Sequence, residues 1–524
     1  MGRRVLPYGA RAQRTSKHSA DVLAGFRAPR TTLRASRILS TASSWKGFNE
    51  GSSDFPTTGR IPSYTFHLRE NAHMSSLTDV FTHIDEQRNI SLERLMDYVR
   101  KPSISAQGVG IAEVAAYIAR IMQRIGLETD VVPTAGWPMV LGRRHRSPGK
   151  PTVLLYGHYD VQPPDPVDEW ISPPFEPAIR NERLYGRGVA DNKGQHFAQL
   201  LALEALLEVD GELPCNVTVL LEGEEEVGSP QMKSFVEAHR EQLSADVAIT
   251  CDGPVLSSGK PCVVFGVRGV LNFELRARGA NSDLHSGNWG GIVPNPLWTL
   301  VHLLASMKND RGEIMIDGFY DDVRPVSDLE RDALDLLPLD LDAVKQALDI
   351  EKLDQPLDRE FYERITAWPT LTINGFSGGY QGTGAKTVLP HEAFVKCDIR
   401  LVNAQRADDI LAKVKRHVRQ HAPNVEVVFY GAMEPSKTPL DSVYAQPIAE
   451  AVRQVHGGNP LLVPSLGGSL PTYVFRTILN LPSFVVPYGN PDQANHAPNE
   501  NMEIERFFNG IKTSAAMLSH LAGV

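Results

Sequence analysis

His158 and Asp160 stand two apart at the end of an apolar run, Thr152-Val153-Leu154-Leu155-Tyr156, broken by Gly157. Residues two apart in an extended chain share a face, so this imidazole and carboxylate converge on one point. Asp191 closes a glycine-punctuated turn, Gly186-Arg187-Gly188-Val189-Ala190, just ahead of an apolar helical stretch. Together the two stretches read as half of a metal site. Glu225 and Glu226 follow an apolar run at 216–221, Asp252 follows one at 245–250, and His496 lies beyond one at 484–486. Taken singly, each has an ordinary reading: a lone histidine is more often structural than a ligand, and a run such as Glu224 to Glu226 is usually a solvated face. Two histidines and several carboxylates, each at the end of an apolar strand, fit chance surface poorly, because burying unpaired carboxylates is costly unless a cation neutralises them. Imidazole and carboxylate donors without cysteine suit Zn²⁺, Mn²⁺ or Co²⁺, and a shared carboxylate points to two ions about 3.5–4 Å apart.

The elements that must position these residues alternate between strand and helix. Val80, Phe81, Ile84, Ile90, Leu92, Leu95, Met96 and Val99 stripe a helix that begins near Leu77 and is ended by Pro102. A second helix carries Val114, Ile118, Ile121 and Ile125, with Gly126 as its C-terminal cap, before a strand at 129–132. Strands at 152–156, 216–221 and 245–250 and a Leu-rich helix at 195–207 continue the pattern, which predicts an α/β sheet covered on both faces. In such sheets the site lies outside the carboxyl ends of the strands, where His158, Asp191, Glu225, Glu226 and Asp252 fall. Near Val264 the pattern changes: 271–277 alternates strictly, as does part of 393–400, as strands with one solvated face do. With helices near 296–306 and 407–418, these predict a second, α+β domain inserted into the first. The insertion at 312–368, dense in Asp and Leu, reads as helical decoration. After Gly431 the first pattern returns, with a helix from Pro447 closed by Gly457, strands at 461–463 and 484–486, and a final helix striped by Ile504, Phe508, Ile511, Ala515 and Leu518. The expected organisation is a basic leader at 1–73, a catalytic domain at 74–265 and 432–524, and the inserted domain at 266–431.

Residues 1–49 hold ten Lys or Arg against Asp21 alone, a net of +9, so the chain's −9 leaves −18 on the remainder. Two readings of the leader stand: an organelle transit peptide, or sequence ahead of a true start at Met74. The acidic remainder argues against a nucleic-acid partner. No apolar run approaches the ~20 residues of a membrane span. Cys215, Cys251, Cys262 and Cys397 lack metal-site spacing and suit buried thiols in a reducing, cytoplasmic compartment, organelle targeting by the leader remaining open.

The set His158-x-Asp160, Gly186-Arg187-Gly188-x-x-Asp191-Asn192-Lys193-Gly194, Glu225-Glu226-x-Gly228-Ser229, Asp252 and His496-x-Pro498-Asn499-Glu500 resembles the dinuclear zinc peptidase and aminoacylase family. That family includes carnosinase-like dipeptidases, glutamate carboxypeptidase, acetylornithine deacetylase and succinyl-diaminopimelate desuccinylase. The resemblance runs from about Met74 to the C-terminus. It implies a mixed-sheet catalytic domain with a smaller inserted α+β domain serving as lid and dimerisation surface, and two divalent ions per subunit, zinc first. Asp191 would bridge the ions, with His158 and Asp252 completing one site and Glu226 and His496 the other. Asp160 would orient His158, Glu225 would act as general base, and the Asp191-Asn192 peptide would be cis.

Two stretches resemble the carnosinase-like dipeptidase branch. Asn281-Ser282-Asp283-Leu284-His285-Ser286-Gly287 is similar to a loop whose histidine, here His285, completes the partner subunit's active site in a homodimer and stabilises the oxyanion. Gly384-Ala385-Lys386-Thr387 with Asp398-Ile399-Arg400 is similar to a segment in which Thr387 and Arg400 would hold a peptide's C-terminal carboxylate, and Gly467-Gly468-Ser469 resembles a further loop in which Ser469 would supply substrate hydrogen bonds. A small-peptide hydrolase is therefore expected. The rival readings are an N-acyl-amino-acid deacylase with the same chemistry and a non-catalytic binding protein on the same fold.

Overall fold

A computed structural model of the chain describes residues 76–353 and 361–524. The basic leader, Met74 and part of the 312–368 insertion lie outside the described residues. Apolar runs ended by glycine or polar turns form an eight-stranded sheet in the order Glu128–Val132, Met139–Arg144, Asn216–Glu222, Thr152–His158, Val247–Thr250, Ser483–Val485, Cys262–Val264, Leu461–Val463. Four neighbours in the middle are parallel, with His158 opposite Glu222 and Tyr156 opposite Thr250. Met139–Arg144, Glu128–Val132 and Cys262–Val264 run antiparallel to their inner neighbours, so the sheet is mixed.

Each central strand is buried on both faces, which is why its sequence is a continuous apolar run. Val153, Leu155, Val219 and Ile249 pack under the helices Ile111–Ile125, Gly194–Asp210, Ala445–His456 and Ile504–Leu521. Leu154, Tyr156, Leu220 and Ala248 face the other way, against Met232, Phe235 and Phe475. Gly126 ends its helix in the left-handed region at φ 91°, and Gly457 does so at φ 72°, the conformation glycine adopts without a steric cost.

Between the strand Gly266–Val267 and its antiparallel partner Ser436–Lys437 the chain builds a second, four-stranded antiparallel sheet. Its order is Thr370–Gly378, Glu392–Leu401, Gly269–Arg278, Glu426–Met433, with Phe273 opposite Cys397. Leu271, Phe273, Leu275 and Ala277, with Val395, Cys397 and Ile399, form a separate core under the helices Pro296–Met307 and Ala407–His421. The fold is thus a mixed α/β unit interrupted by a smaller α+β one.

Two local expectations fail. The first helix is two, Leu77–Glu86 and Arg88–Val99, meeting at Gln87, whose ψ of 6° breaks the helical path. The polar stretch Asp85 to Arg88 accommodates this turn; Val80, Ile84, Leu95 and Val99 still reach the core, whereas Ile90, just after the break, is exposed rather than on the buried face. The strand Met139–Arg144 was not anticipated, because Gly142 interrupts it and Arg143 and Arg144 end it. Gly142 packs closely: a Cβ there would lie 2.3 Å from Cε of the flexible Met122 side chain and 3.0 Å from Leu127 Cδ2.

Candidate metal centre

Strand ends and the turns after them bring the candidate ligands together. His158 is the last residue of its strand and fully buried, and Asp252 follows the neighbouring strand by two residues. Asp191 lies at the kink before Gly194–Asp210, with φ −122° and ψ 89°, and the Asp191-Asn192 peptide is cis, as the resemblance implied. His496 has φ 58° in the loop after Ser483–Val485.

Asp191 faces both histidines. Its Oδ1 is 3.2 Å from His158 Nε2 and its Oδ2 is 3.1 Å from His496 Nε2. Asp252 Oδ2 lies 3.6 Å from the same His158 nitrogen, and Glu226 Oε2 lies 3.1 Å from the same His496 nitrogen. Ligand atoms of His158, Asp191 and Glu226 all fall within 4.8 Å of one another, a group that could hold a metal ion. Although carboxylate oxygens surround it, His158 Nε2 is buried without a hydrogen bond. A buried nitrogen left in that state calls for a partner, and a divalent cation coordinated by the imidazole and the carboxylates supplies one.

The charges are tuned by this crowding. Burial alone would depress the His158 imidazole, but the carboxylates of Asp160, Asp191 and Asp252 outweigh it and hold it well above its ordinary range. The Asp191 carboxyl sits far below the usual range: burial opposes this, and the two histidines overcome it. Hydrogen bonding to Asp191 and Glu226 raises His496 to about 10. Burial, with Asp191, pushes Glu226 up to about 7. Glu225 is pushed well above the carboxylate range, by burial first and then by Asp252, Glu226 and Asp191, against the opposing effect of His158.

Asp160 braces the centre from behind. Its two oxygens accept the backbone N–H groups of Glu225 at 3.2 Å and Glu226 at 3.1 Å, fixing the short turn that presents both. Its carboxylate is also 3.3 Å from His158 Nδ1, whose hydrogen bond goes to the Asp160 main-chain oxygen at 3.1 Å.

Several supporting residues, among them Arg187, Asn192 and Glu500 of the quoted motifs, have no role assigned from the sequence. Glu500 is fully buried and accepts from Arg187 Nη1 at 2.8 Å and from the N–H groups of Gly188, Ala190 and Asp191 at 2.8, 2.9 and 3.0 Å. It therefore holds the turn that presents Asp191. The only signals were an arginine between two glycines and an acid between two asparagines, Asn499 and Asn501. Asn192 joins strand ends: its Nδ2 donates to Cys251 O at 2.7 Å, and its Oδ1 accepts from His158 N at 3.4 Å. Its Oδ1 also meets His196 Nδ1 at 3.1 Å. Gln162 donates to Glu226 Oε2 at 3.0 Å.

The remaining candidates form two separate pairs. His285 Nδ1 accepts from Gly287 N at 3.0 Å, which leaves Nε2–H as the donor of the neutral ring, 3.4 Å from Thr387 Oγ1. Arg400 Nη1 donates to Ser469 Oγ at 2.9 Å, with Asp398 3.4 Å from its Nε. Among the described residues no hydrogen bond or ion pair joins either pair to the histidine–carboxylate cluster.

Residues 154–520 match the peptidase family M20/M25/M40. The chain belongs to that family. Within it, the chain is 29% identical over 481 residues to the Cys-Gly metallodipeptidase dug1 of Schizosaccharomyces pombe, covering 86% of this chain and 99% of the relative. It is 29% identical over 471 residues to the Beta-Ala-His dipeptidase of Homo sapiens, covering 85% and 93%. The M20 family metallo-carboxypeptidase Sso-CP2 from Sulfolobus solfataricus superposes with a TM-score of 0.80 at 34% identity, over 83% of this chain and 99% of that one. These likenesses place this M20 chain in the carnosinase-like dipeptidase branch, among metal-dependent hydrolases. No described helix is long and apolar enough to cross a membrane.

Proposed function

We propose that this chain is a metal-dependent dipeptidase that holds two divalent ions on one shared carboxylate and hydrolyses small peptides in a homodimer. The observation that carries the reading is the placement of Asp191, with one oxygen toward each histidine. His158, Asp191 and Asp252 form one half-site, and His496, Asp191 and Glu226 the other. Zinc is the ion best matched to these donors, with manganese or cobalt as alternatives. When bound, such ions acidify water and polarise the scissile carbonyl.

The chain's own groups do the rest. Glu225, made basic by its buried and acidic surroundings, takes the proton of the attacking water and passes it to the leaving amine. Asp160 fixes the turn carrying Glu225 and orients His158. Arg400 holds the peptide's terminal carboxylate, a guanidinium matching it through paired hydrogen bonds, while Ser469 steadies Arg400; Thr387, which pairs with His285 and not with Arg400, reaches that carboxylate from the other subunit alongside His285. His285, presenting Nε2–H, stabilises the oxyanion in the partner subunit. Its exposure supports that role, as do the exposed apolar residues Trp289, Ile292, Trp298 and Val301 close to it in the chain. Residues 74–265 and 432–524 act as the catalytic domain and 266–431 as the lid and dimerisation domain. Four unpaired, buried cysteines support a cytoplasmic setting.

The test is hydrolysis of free dipeptides beside N-acetyl and N-succinyl amino acids, on metal-stripped protein resupplied with zinc or manganese. Cleavage of dipeptides only after metal returns is expected. Cleavage of the acyl substrates alone would move the chain to the deacylase reading. Glu225→Gln should keep fold and metal while losing at least about 100-fold in kcat.

A further inference from the structure

Arg268 lies where the chain enters the inserted unit, directly after the strand Gly266–Val267. It is 9% exposed. Its Nε donates to Gly467 O at 2.9 Å and its Nη1 to Trp368 O at 3.2 Å. Both acceptors are neutral. Among the described residues no carboxylate comes within ion-pair distance of it, and its Nη2 has no hydrogen-bond partner. Burial, with the nearby Arg400, lowers the guanidinium to about 10, while the Asp398 carboxylate beyond ion-pair distance opposes the shift, so it stays charged at neutral pH. A buried charge whose counter-charge, Asp398, lies beyond ion-pair distance and is already 3.4 Å from Arg400 Nε is incompletely compensated, and proteins keep one where something of opposite sign can neutralise it.

Arg268 lines a cavity of about 90 Å³. One water needs roughly 10–15 Å³ by this measure, so the space admits a tetrahedral oxyanion. Arg324 and Lys437 also line it, as does Glu330, which pairs with Lys437. Three cations therefore face one carboxylate. Ser436, Asn403 and Ser465 add hydroxyl and amide groups able to donate. The walls come from both units: Arg324 and Asn403 belong to the inserted segment, and Lys437 and Ser465 to the chain after it.

We propose that this cavity binds a small divalent oxyanion of the sulfate or inorganic phosphate class, which neutralises Arg268 and ties the inserted unit to the sheet-bearing unit. The excess of two positive charges in the lining sets the preference for a dianion over a monoanion. Its position beside the Gly266–Val267 and Ser436–Lys437 pairing means that a bound anion resists rotation of one unit against the other.

The test is thermal unfolding of the full chain with its metal in rising sulfate, against sodium chloride at matched ionic strength. A general salt effect rises without saturating and is common to all variants. The expected result is a saturating rise in melting temperature at low-millimolar sulfate, with the midpoint about tenfold or more weaker in Arg324→Ala and in Arg268→Gln. Arg324 is exposed, so its variant reports on binding even where Arg268→Gln folds poorly. Equal stabilisation of the wild type and Arg324→Ala would overturn the proposal and leave Arg268 as a clamp on two carbonyls. A second arm separates a free anion from a substrate carboxylate. Unchanged KM for a dipeptide in Arg324→Ala supports the free anion. A KM that rises for the dipeptide but not for its C-terminal amide would overturn it and assign the cavity to substrate.

Discussion

Replacing Glu500 with Gln removes the one negative charge shared by Arg187 Nη1 and the N–H groups of Gly188, Ala190 and Asp191. Burial raises this carboxyl, but Arg187 and the backbone donors oppose the rise. Arg187 is 1% exposed, so the loss strands a guanidinium in the interior. Breaking a buried pair in this way costs about 3–5 kcal/mol. The amide oxygen can still accept from Ala190 and Asp191, whereas the amide NH₂ then faces two donors. Arg187→Met is milder, because Glu500 keeps three backbone donors, each charge-assisted bond being worth about 1.5–3 kcal/mol. Urea unfolding of both variants and the double variant should show a combined loss at least about 1 kcal/mol short of the sum. Glu500→Gln should melt roughly 6–20 °C lower, taking about 2–4 °C per kcal/mol. Because Asp191 N–H is one of the donors, zinc affinity should also fall by about 10–100-fold. Additive losses, or a Gln variant with wild-type melting and zinc affinity, would refute the role given to Glu500.

Three further outcomes are expected. Glu222 is buried and accepts from Tyr156 and Ser229 on Oε1, while Oε2 has no partner; burial pushes its carboxyl up to about 8, against those hydrogen bonds. The native state therefore holds a proton the unfolded chain has lost, so this stability is complete below about pH 4.5 and disappears as pH rises through about 8. Glu222→Gln should flatten that slope, gaining up to about 2.5 kcal/mol relative to the wild type between pH 6 and 8 in denaturant titrations; parallel curves would exclude a buried acid. A Cβ at Gly287 would lie 2.9 Å from His285 Cε1, so Gly287→Ala should turn the ring and lower kcat by about 10–100-fold with metal content unchanged, and wild-type kcat would dismiss the link. Asp191→Asn should lose both ions together, and metal analysis finding one tightly held ion would contradict a shared carboxylate.

The centre was legible because ligands at the ends of parallel strands leave a linear trace: an apolar run, a glycine, then a polar pair. His158 and Glu226 follow that rule; Asp252 comes just before its glycine, Asp191 stands ahead of a helix, and His496 lies in a loop further on, yet all five are brought together. The strict alternation from Leu271 to Ala277 likewise marked a sheet with one packed face. What escaped depends on distant partners. Glu500 and Arg187 are 313 positions apart, and neither carries a local sign of burial. Asn192 looks like a turn residue until the strand ends it joins are seen. The strand Met139–Arg144 was hidden because its glycine answers to Met122 and Leu127 on a helix and the residue after it.

The place of Ser483–Val485 has a consequence for synthesis. This strand lies between Val247–Thr250 and Cys262–Val264, although more than 200 residues separate it from either in the chain. The four-stranded sheet and its core, 269–433, are contiguous and can fold as they leave the ribosome. The large sheet cannot: it stays split down its length until Ser483–Val485 has emerged. His496 arrives later still. A translation product stopped short of Ser483 would thus carry a folded inserted unit beside two unjoined half-sheets, and no ion-binding pair at His496. The histidine–carboxylate cluster is complete only once His496 has followed that strand.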